Sequence, residues 1–419
     1  MSMQLRDMTA TSGGRRAFLG KTALGGLGLA GMGLAGRRAW AETTTLPLPG
    51  GPGEREVTTA FPHKGPMILQ RTRPPLLETP FTVFDPGTGG NVLTPNDRFF
   101  VRWHWSVIPE QVDVTSFRLA VTGHVNTLQS LTLQDILALP RVELAAVNQC
   151  SGNSRGYFAP RVPGGEWSNG AMGNAKWMGV RLRDVLDRAG VKPGAQRVRF
   201  AGMDDPVVDT APKFMKSLGI DHARDGEVML AYAMNGEQLP LLHGAPLRLV
   251  VPGWYSTYWV KMVSSIEVLD GPDENFWTKV AYTIPDTPGA DMKPGQAGVK
   301  MVPINRMVPR SFITNLADGA PVKAGPTLLR GIALGGAVGV RAVDLSTDAG
   351  ATWTPAALGA DEGRYSFRAW TATLDLPAGA STVLVRATNT DGLTQPATPN
   401  WNPSGFMRNV IETTRLTAA

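Results

Sequence analysis

The sequence predicts an α+β domain followed by an all-β, immunoglobulin-like sandwich. Three observations carry this expectation. Short runs of period-two hydrophobicity alternate with short runs at helical spacing between residues 96 and about 269. A Pro/Gly-rich stretch at 286–300 has no core pattern. Beyond it, five short strand-like runs recur at close intervals with turn signals between them. The roughly 380 residues that follow the first segment exceed one ordinary core and indicate two domains.

Residues 1–41 read as a cleaved leader. Gly14-Arg15-Arg16-Ala17-Phe18-Leu19-Gly20-Lys21 is a twin-arginine pattern, residues 22–35 are a modest apolar run, and Ala39-Trp40-Ala41 is a small-x-small cleavage site. The apolar run is shorter than the roughly 20 residues that span a bilayer and is diluted with glycine, which argues against a permanent membrane anchor. Export of the folded protein to the periplasm is the expected localisation.

The leader also explains the charge. It carries six Lys/Arg against Asp7, so the formal +6 of the whole chain falls to +1 beyond it. No basic stripe with interleaved aromatics remains, and a nucleic-acid partner is not expected.

Residues 42–95 are rich in Pro, Gly and Thr and read as an extended arm over the surface. In the α+β domain (96–295), residues 99–105, 197–201 and 247–251 alternate with period two. Leu133, Ile136 and Leu137, and Leu182, Val185 and Leu186, have helical spacing. In the sandwich (296–419), strands are expected at 327–334, 340–346, 352–358, 367–376 and 382–388. Asp348-Ala349-Gly350, Pro377-Ala378-Gly379 and Asp391-Gly392 supply turns.

Cys150 is the one cysteine of the chain and cannot close an internal disulfide. Such a residue is either a small core hydrophobe or a thiolate ligand or nucleophile. Its setting, Gln149-Cys150-Ser151-Gly152-Asn153-Ser154-Arg155-Gly156, is a loop of glycine and small polar residues beside an arginine, which favours the second. Arg102 and His104 stand two residues apart and share a strand face. His243 and Arg248 flank a Gly-Ala-Pro turn, and Arg248 lies inside an apolar run where a buried guanidinium needs acceptors. Taken singly, each of these has an ordinary structural explanation.

Together they resemble the molybdenum-cofactor sulfite oxidase family, and within it the bacterial periplasmic sulfite dehydrogenases. The resemblance rests on residues 99–104, 148–156, 202–206 and 230–261, on the segment around Trp277 and Tyr282, and on the terminal Pro399-Asn400-Trp401-Asn402 segment. It implies that Cys150 ligates molybdenum beside a single molybdopterin. It implies a substrate pocket of Arg102, Arg155 and Tyr282. It implies that His104, Asp204, His243, Arg248, Trp259, Val260 and Lys261 hold the pterin and its phosphate; Asp205 follows Asp204 at once and competes with it for the role. Two guanidiniums suit a small oxyanion such as sulfite, and the C-terminal domain is expected to make a homodimer.

Two departures from the animal members stand out. No Cys-x-x-Cys-His haem site is present, so no haem is expected on this chain and electrons are expected to pass to a separate acceptor, a c-type cytochrome. Pro403-Ser404-Gly405 stands where animal members have an arginine, with Arg408 as a possible basic substitute. The alternatives are a related molybdopterin enzyme, such as a methionine sulfoxide reductase or a nitrate reductase, and a non-enzymatic exported binding protein.

Overall fold

The computed structural model describes residues 42–419, and the segments expected to form the leader lie outside the described residues. No helix among the described residues is long and apolar enough to cross a membrane.

Residues 42–95 differ from the surface arm expected of them. Strands Thr43–Thr45, Glu54–Thr58, Met67–Arg71 and Leu76–Glu78 form an antiparallel sheet that ends on Val101–Arg102. Met67, Leu77 and Glu78 are fully buried. Strands of three to five residues are too short to show a period-two pattern between turns, so burial here is invisible in the sequence.

Two further sheets make the body of the α+β portion. One has the order Met215–Gly219, Arg197–Gly202, Val263–Leu269, Leu119–Gly123, Gln129–Leu131, with one parallel pair at its centre. The other runs Glu237–Gln238, Met229–Met234, Met172–Arg181, Arg141–Gln149, and Arg248–Val250 joins it through Met229–Met234. The two helices expected are present. Leu133–Leu137 starts on Thr132, whose hydroxyl caps Asp135 in a reciprocal capping box. Leu182–Ala189 buries Leu182, Val185, Leu186 and Ala189 and stops at Gly190, whose φ of 70° is most easily adopted by a residue without Cβ.

The C-terminal portion is two sheets: Arg310–Ile313, Gly325–Leu334, Arg368–Leu376, Ala357–Leu358, and Ala320–Val322, Glu412–Ala418, Gly379–Asn389, Val340–Ser346, Thr354–Pro355. The single strand expected at 352–358 is two. Thr354–Pro355 pairs with Val340–Ser346 and Ala357–Leu358 with Arg368–Leu376, so the chain changes sheets at Ala356. Pro355, which has no N–H, suits such a crossing. Leu329, Val343, Leu345, Trp370, Val383 and Val385 fill the space between the sheets.

The stretch at 286–300 separates two portions of the sequence, yet residues 42–419 pack as one compact unit. The main core runs from Phe99, Trp177, Phe200 and Ile266 into Phe312, Ile332 and Phe367 of the C-terminal portion. Phe81 packs edge-on against Phe312 at 5.4 Å, and Phe84 against Phe367 at 5.9 Å.

Candidate active site

Arg141–Gln149 is paired along its whole length with Met172–Arg181 and is buried over its last five residues. It delivers Cys150 to a defined place at its end. The Cys150 N–H donates to Ala171 O (2.9 Å), and its own carbonyl accepts from Asn153 N–H (2.9 Å), which turns the chain. Ser154 completes the turn with φ of 70°. Cys150 is buried and free.

The thiol faces a cavity that is also lined by Arg102, His104, Asp204, Arg248, Trp259, Lys261 and Tyr282. These residues lie as far apart as 102 and 282 in sequence. Of the side chains singled out above, Arg155, His243 and Val260 are the three that do not line it.

The expected strand at 99–105 is only Val101–Arg102, because its partner Leu76–Glu78 is three residues long and begins after Pro75. The alternation of sides nevertheless persists. Trp103 is buried and donates from Nε1 to Leu242 O (3.2 Å), while Arg102 and His104 both reach the cavity. His104 stacks on Phe214 at 3.4 Å and its Nε2 lies 2.6 Å from the Tyr282 hydroxyl. Asp204 and Asp205 are told apart by burial. Asp204 lines the cavity at 3% exposure, whereas Asp205 pairs with Lys213 at the surface.

His243, at the end of the turn Leu241–His243, is fully buried beside the cavity wall. Its Nε2 is 2.6 Å from Lys64 Nζ, and its carbonyl accepts from Arg248 Nη1 (3.1 Å). Arg248 also reaches Asn148 Oδ1 (3.4 Å), and its Cζ lies 5.2 Å from the Trp177 ring centroid and 5.8 Å from that of Trp259. Lys261 donates to the Arg102 carbonyl and sits 4.4 Å from the Trp103 ring centroid. Val260 is buried and contributes backbone, accepting from Leu249 N–H (2.8 Å).

Burial dominates the electrostatics. It holds the His104 and His243 imidazoles well below the usual histidine range, with Arg102 and Lys64 respectively the next contributors. It depresses Lys261 strongly, aided by Arg248 and opposed by Asp204, and pushes Arg248 down to about 9. It raises Tyr282 above the usual phenol range and raises Asp204, against the pull of Lys261. The lining thus sets Arg102, Arg248 and Lys261 against one carboxylate, Asp204.

Several residues at the site had no signal in the sequence. Lys64 lies in the aperiodic 42–95 stretch. Lys216 is fully buried on Met215–Gly219 and donates to Trp277 O (2.9 Å). Phe406, from the C-terminal portion, stacks on Tyr282 at 5.6 Å and 5°. Asn148, on the strand Arg141–Gln149, and Ser151, next to Cys150, also line the cavity, both within the 148–156 stretch already singled out. Arg408, the expected basic substitute, pairs with Glu412 (3.2 Å) and does not line the cavity.

Comparison with known proteins places this arrangement. The profile described as "Oxidoreductase molybdopterin binding domain" matches residues 105–277, and "Mo-co oxidoreductase dimerisation domain" matches 302–416. The chain is 34% identical to "Sulfite oxidase, mitochondrial" of Homo sapiens over 339 residues, which is 76% of this chain and 60% of that protein. The chain belongs to the molybdenum-cofactor sulfite oxidase family. It is 29% identical to "Sulfite oxidase" of Arabidopsis thaliana over 388 residues, 86% of this chain and 96% of that protein. The crystal structure of the sulfane dehydrogenase SoxCD from Paracoccus pantotrophus superimposes with a TM-score of 0.71 at 25% identity, covering 87% of this chain and 88% of that one. The chain spans about 60% of the length of its mitochondrial relatives.

The cavity residues fit the cofactor that the family implies. Buried donors at Arg102 Nη1, Asn148 Nδ2, Ser151 Oγ and Arg248 Nε have no partner among the described residues, and a buried donor is normally satisfied. Unpaired cations and donors around a lone thiol suit an anionic, acceptor-rich group that carries a soft metal. No cluster of three His, Cys, Asp or Glu able to hold a metal occurs among the described residues, so Cys150 would be a single protein ligand.

Proposed function

We propose that this protein oxidises sulfite to sulfate and passes the electrons to an external acceptor. The observation that carries this reading is the convergence of Cys150, Arg102 and Tyr282 on one cavity among unpaired cations. Overall, sulfite and water give sulfate, two protons and two electrons. The molybdenum cofactor, when bound, supplies the two-electron oxidation and the transferred oxygen, with Cys150 thiolate as its protein ligand.

The remaining steps belong to side chains. Arg102, with Arg155 beside the cavity, binds the oxyanion through charge-assisted hydrogen bonds. Tyr282, whose phenol burial raises further above the neutral range, stands beside the neutral His104, hydrogen-bonds the oxyanion, and with His104 passes on one of the two protons that the overall reaction releases. His243, Arg248, Lys261 and Asp204, with Trp259 and the Val260 backbone, hold the pterin and its phosphate. The buried rings of Trp259 and Phe214 keep bulk water out.

The finer reading is of a periplasmic sulfite dehydrogenase exported by the twin-arginine route. Its acceptor is a c-type cytochrome, and the sheets at 302–416 form an immunoglobulin-like sandwich that makes a homodimer. The dimerisation-domain match and the two facing C-terminal sheets support the last point. A sulfane substrate is a second reading, favoured by the extent of the match to the sulfane dehydrogenase.

Sulfite-dependent ferricyanide reduction by molybdenum-loaded protein tests the proposal, with a sulfane-sulfur compound as the competing substrate. Sulfite turnover that disappears in Cys150→Ser supports it. A molybdenum-loaded protein inert to sulfite overturns it.

A further inference from the structure

Arg155 is the one anion-recognising arginine whose guanidinium is not part of the cavity wall, and its surroundings are unusual. The side chain is half-buried, and its donors reach only two backbone carbonyls, Ser404 O (3.2 Å) and Gly165 O (3.5 Å). Its Nε has no partner among the described residues, and its Cζ lies 5.1 Å from the Phe406 ring centroid. Glycines from three separate segments enclose it. A Cβ at Gly152 would come 2.5 Å from Nη2 and 2.6 Å from Cζ; at Gly164, 2.5 Å from Nη1; at Gly405, 2.8 Å from Nε.

We propose that Gly152, Gly164 and Gly405, with Phe406, are positioning residues that set where the Arg155 guanidinium stands, and through it the affinity of the site for its oxyanion. The inference rests on the sulfite reading. The physical reason is packing. A long, flexible side chain without a carboxylate partner has many rotamers open to it, and neither weak carbonyl contact selects one. The three glycine backbones leave a slot of guanidinium thickness, and Phe406 closes one side by a cation–π contact. Gly405 and Phe406 come from the C-terminal portion, which thereby takes part in substrate recognition. Phe406 also stacks on Tyr282, so one ring registers the anion-binding arginine against the hydrogen-bonding phenol.

Gly152 offers a clean test. It lacks the positive φ of Gly164 (124°) and Gly405 (62°), and the three atoms nearest to an added Cβ all belong to the Arg155 guanidinium. Gly152→Ala therefore displaces the head group without straining the backbone. In molybdenum-loaded enzyme, Gly152→Ala is expected to raise the sulfite KM about tenfold and leave kcat within about twofold. Sulfate affinity by calorimetry should weaken in parallel, with an unchanged melting temperature. Gly271→Ala, at a glycine with nothing within 4 Å and no positive φ, is the control and should match wild type. In an Arg155→Gln background, Gly152→Ala should add nothing.

Wild-type turnover with an unchanged KM and sulfate affinity in Gly152→Ala overturns the inference alone. So does an equal effect of Gly152→Ala in the Arg155→Gln background. A loaded wild-type protein that neither oxidises sulfite nor binds sulfate overturns both the functional reading and the inference.

Discussion

The Tyr282 hydroxyl lies 2.6 Å from His104 Nε2, with both groups buried and both neutral near pH 7. The phenol comes from the segment after the helix Phe276–Lys279 and the imidazole from the residue pair after Val101–Arg102. Only the folded chain makes them neighbours. Because burial lowers the imidazole and raises the phenol, neither titrates through the neutral range. Tyr282→Phe is expected to lower kcat/KM for sulfite by about 10- to 100-fold, the size of a lost general acid–base contribution. Stopped-flow and steady-state profiles from pH 6 to 9 check it: the loss should be uniform across that range.

Lys64 stands 2.6 Å from His243 Nε2 and also donates to the carbonyls of Asn96 (2.7 Å) and Phe99 (2.8 Å). A protonated Lys64 donates to the Nε2 lone pair and so places the imidazole proton on Nδ1, an atom without a partner among the described residues. Lys64→Met removes the donor that selects this tautomer. The molybdenum content per chain, measured by elemental analysis after identical expression, should fall severalfold. Lys64→Arg should retain more metal than Lys64→Met.

Two buried lysines give the cofactor-free protein a pH dependence of definite sign. Burial pushes Lys64 and Lys216 down to about 7 from 10.5, with Asp97 and Asp273 respectively opposing the shift. Between about 7 and 10.5 the unfolded chain keeps protons that the folded chain has released, so unfolding free energy rises with pH across this window. It is lost as pH falls through about 7. Melting temperatures should increase from pH 6.5 to pH 9, and Lys216→Met should flatten the rise.

Ser404, expected to stand where animal members carry an arginine, lies against Arg155. Its hydroxyl donates to Thr283 O (2.9 Å) and its carbonyl accepts from Arg155. Arg408 pairs with Glu412 (3.2 Å). Ser404→Arg adds a cation next to Arg155 and should lower the sulfite KM at low ionic strength. The gain should shrink as salt rises toward a Debye length of about 8 Å at physiological strength. KM measured across a salt series checks both points.

Much of this site is legible from local sequence. The Cys150 loop, the Arg102/His104 spacing and the His243/Arg248 turn each announce buried polar chemistry by placing it in an apolar or glycine-rich run. The helix Leu182–Ala189 and the strands Arg197–Gly202 and Val340–Ser346 are equally plain, because their periodicity is uninterrupted. Lys64 was not visible. Nothing near it in sequence distinguishes a lysine that stays in water from one that a 42–95 sheet carries inward. Glu78 is the same case: it is buried on Leu76–Glu78 and accepts from the Ser168 hydroxyl and the Gly170 N–H (2.9 Å).

The sequence alone, through the order of its motifs and their resemblance to the molybdenum-cofactor sulfite oxidase family, determined the family and which residues are candidates for the site, because motif order along the chain is a property of residue type and spacing. Tertiary structure decided which of those residues share a cavity, which aspartate of the 204–205 pair faces it, and why Arg155 stands apart in a slot of glycines. Those outcomes depend on long-range packing between segments hundreds of residues apart, such as Gly152 with Gly405, and no local pattern encodes a distance of that kind.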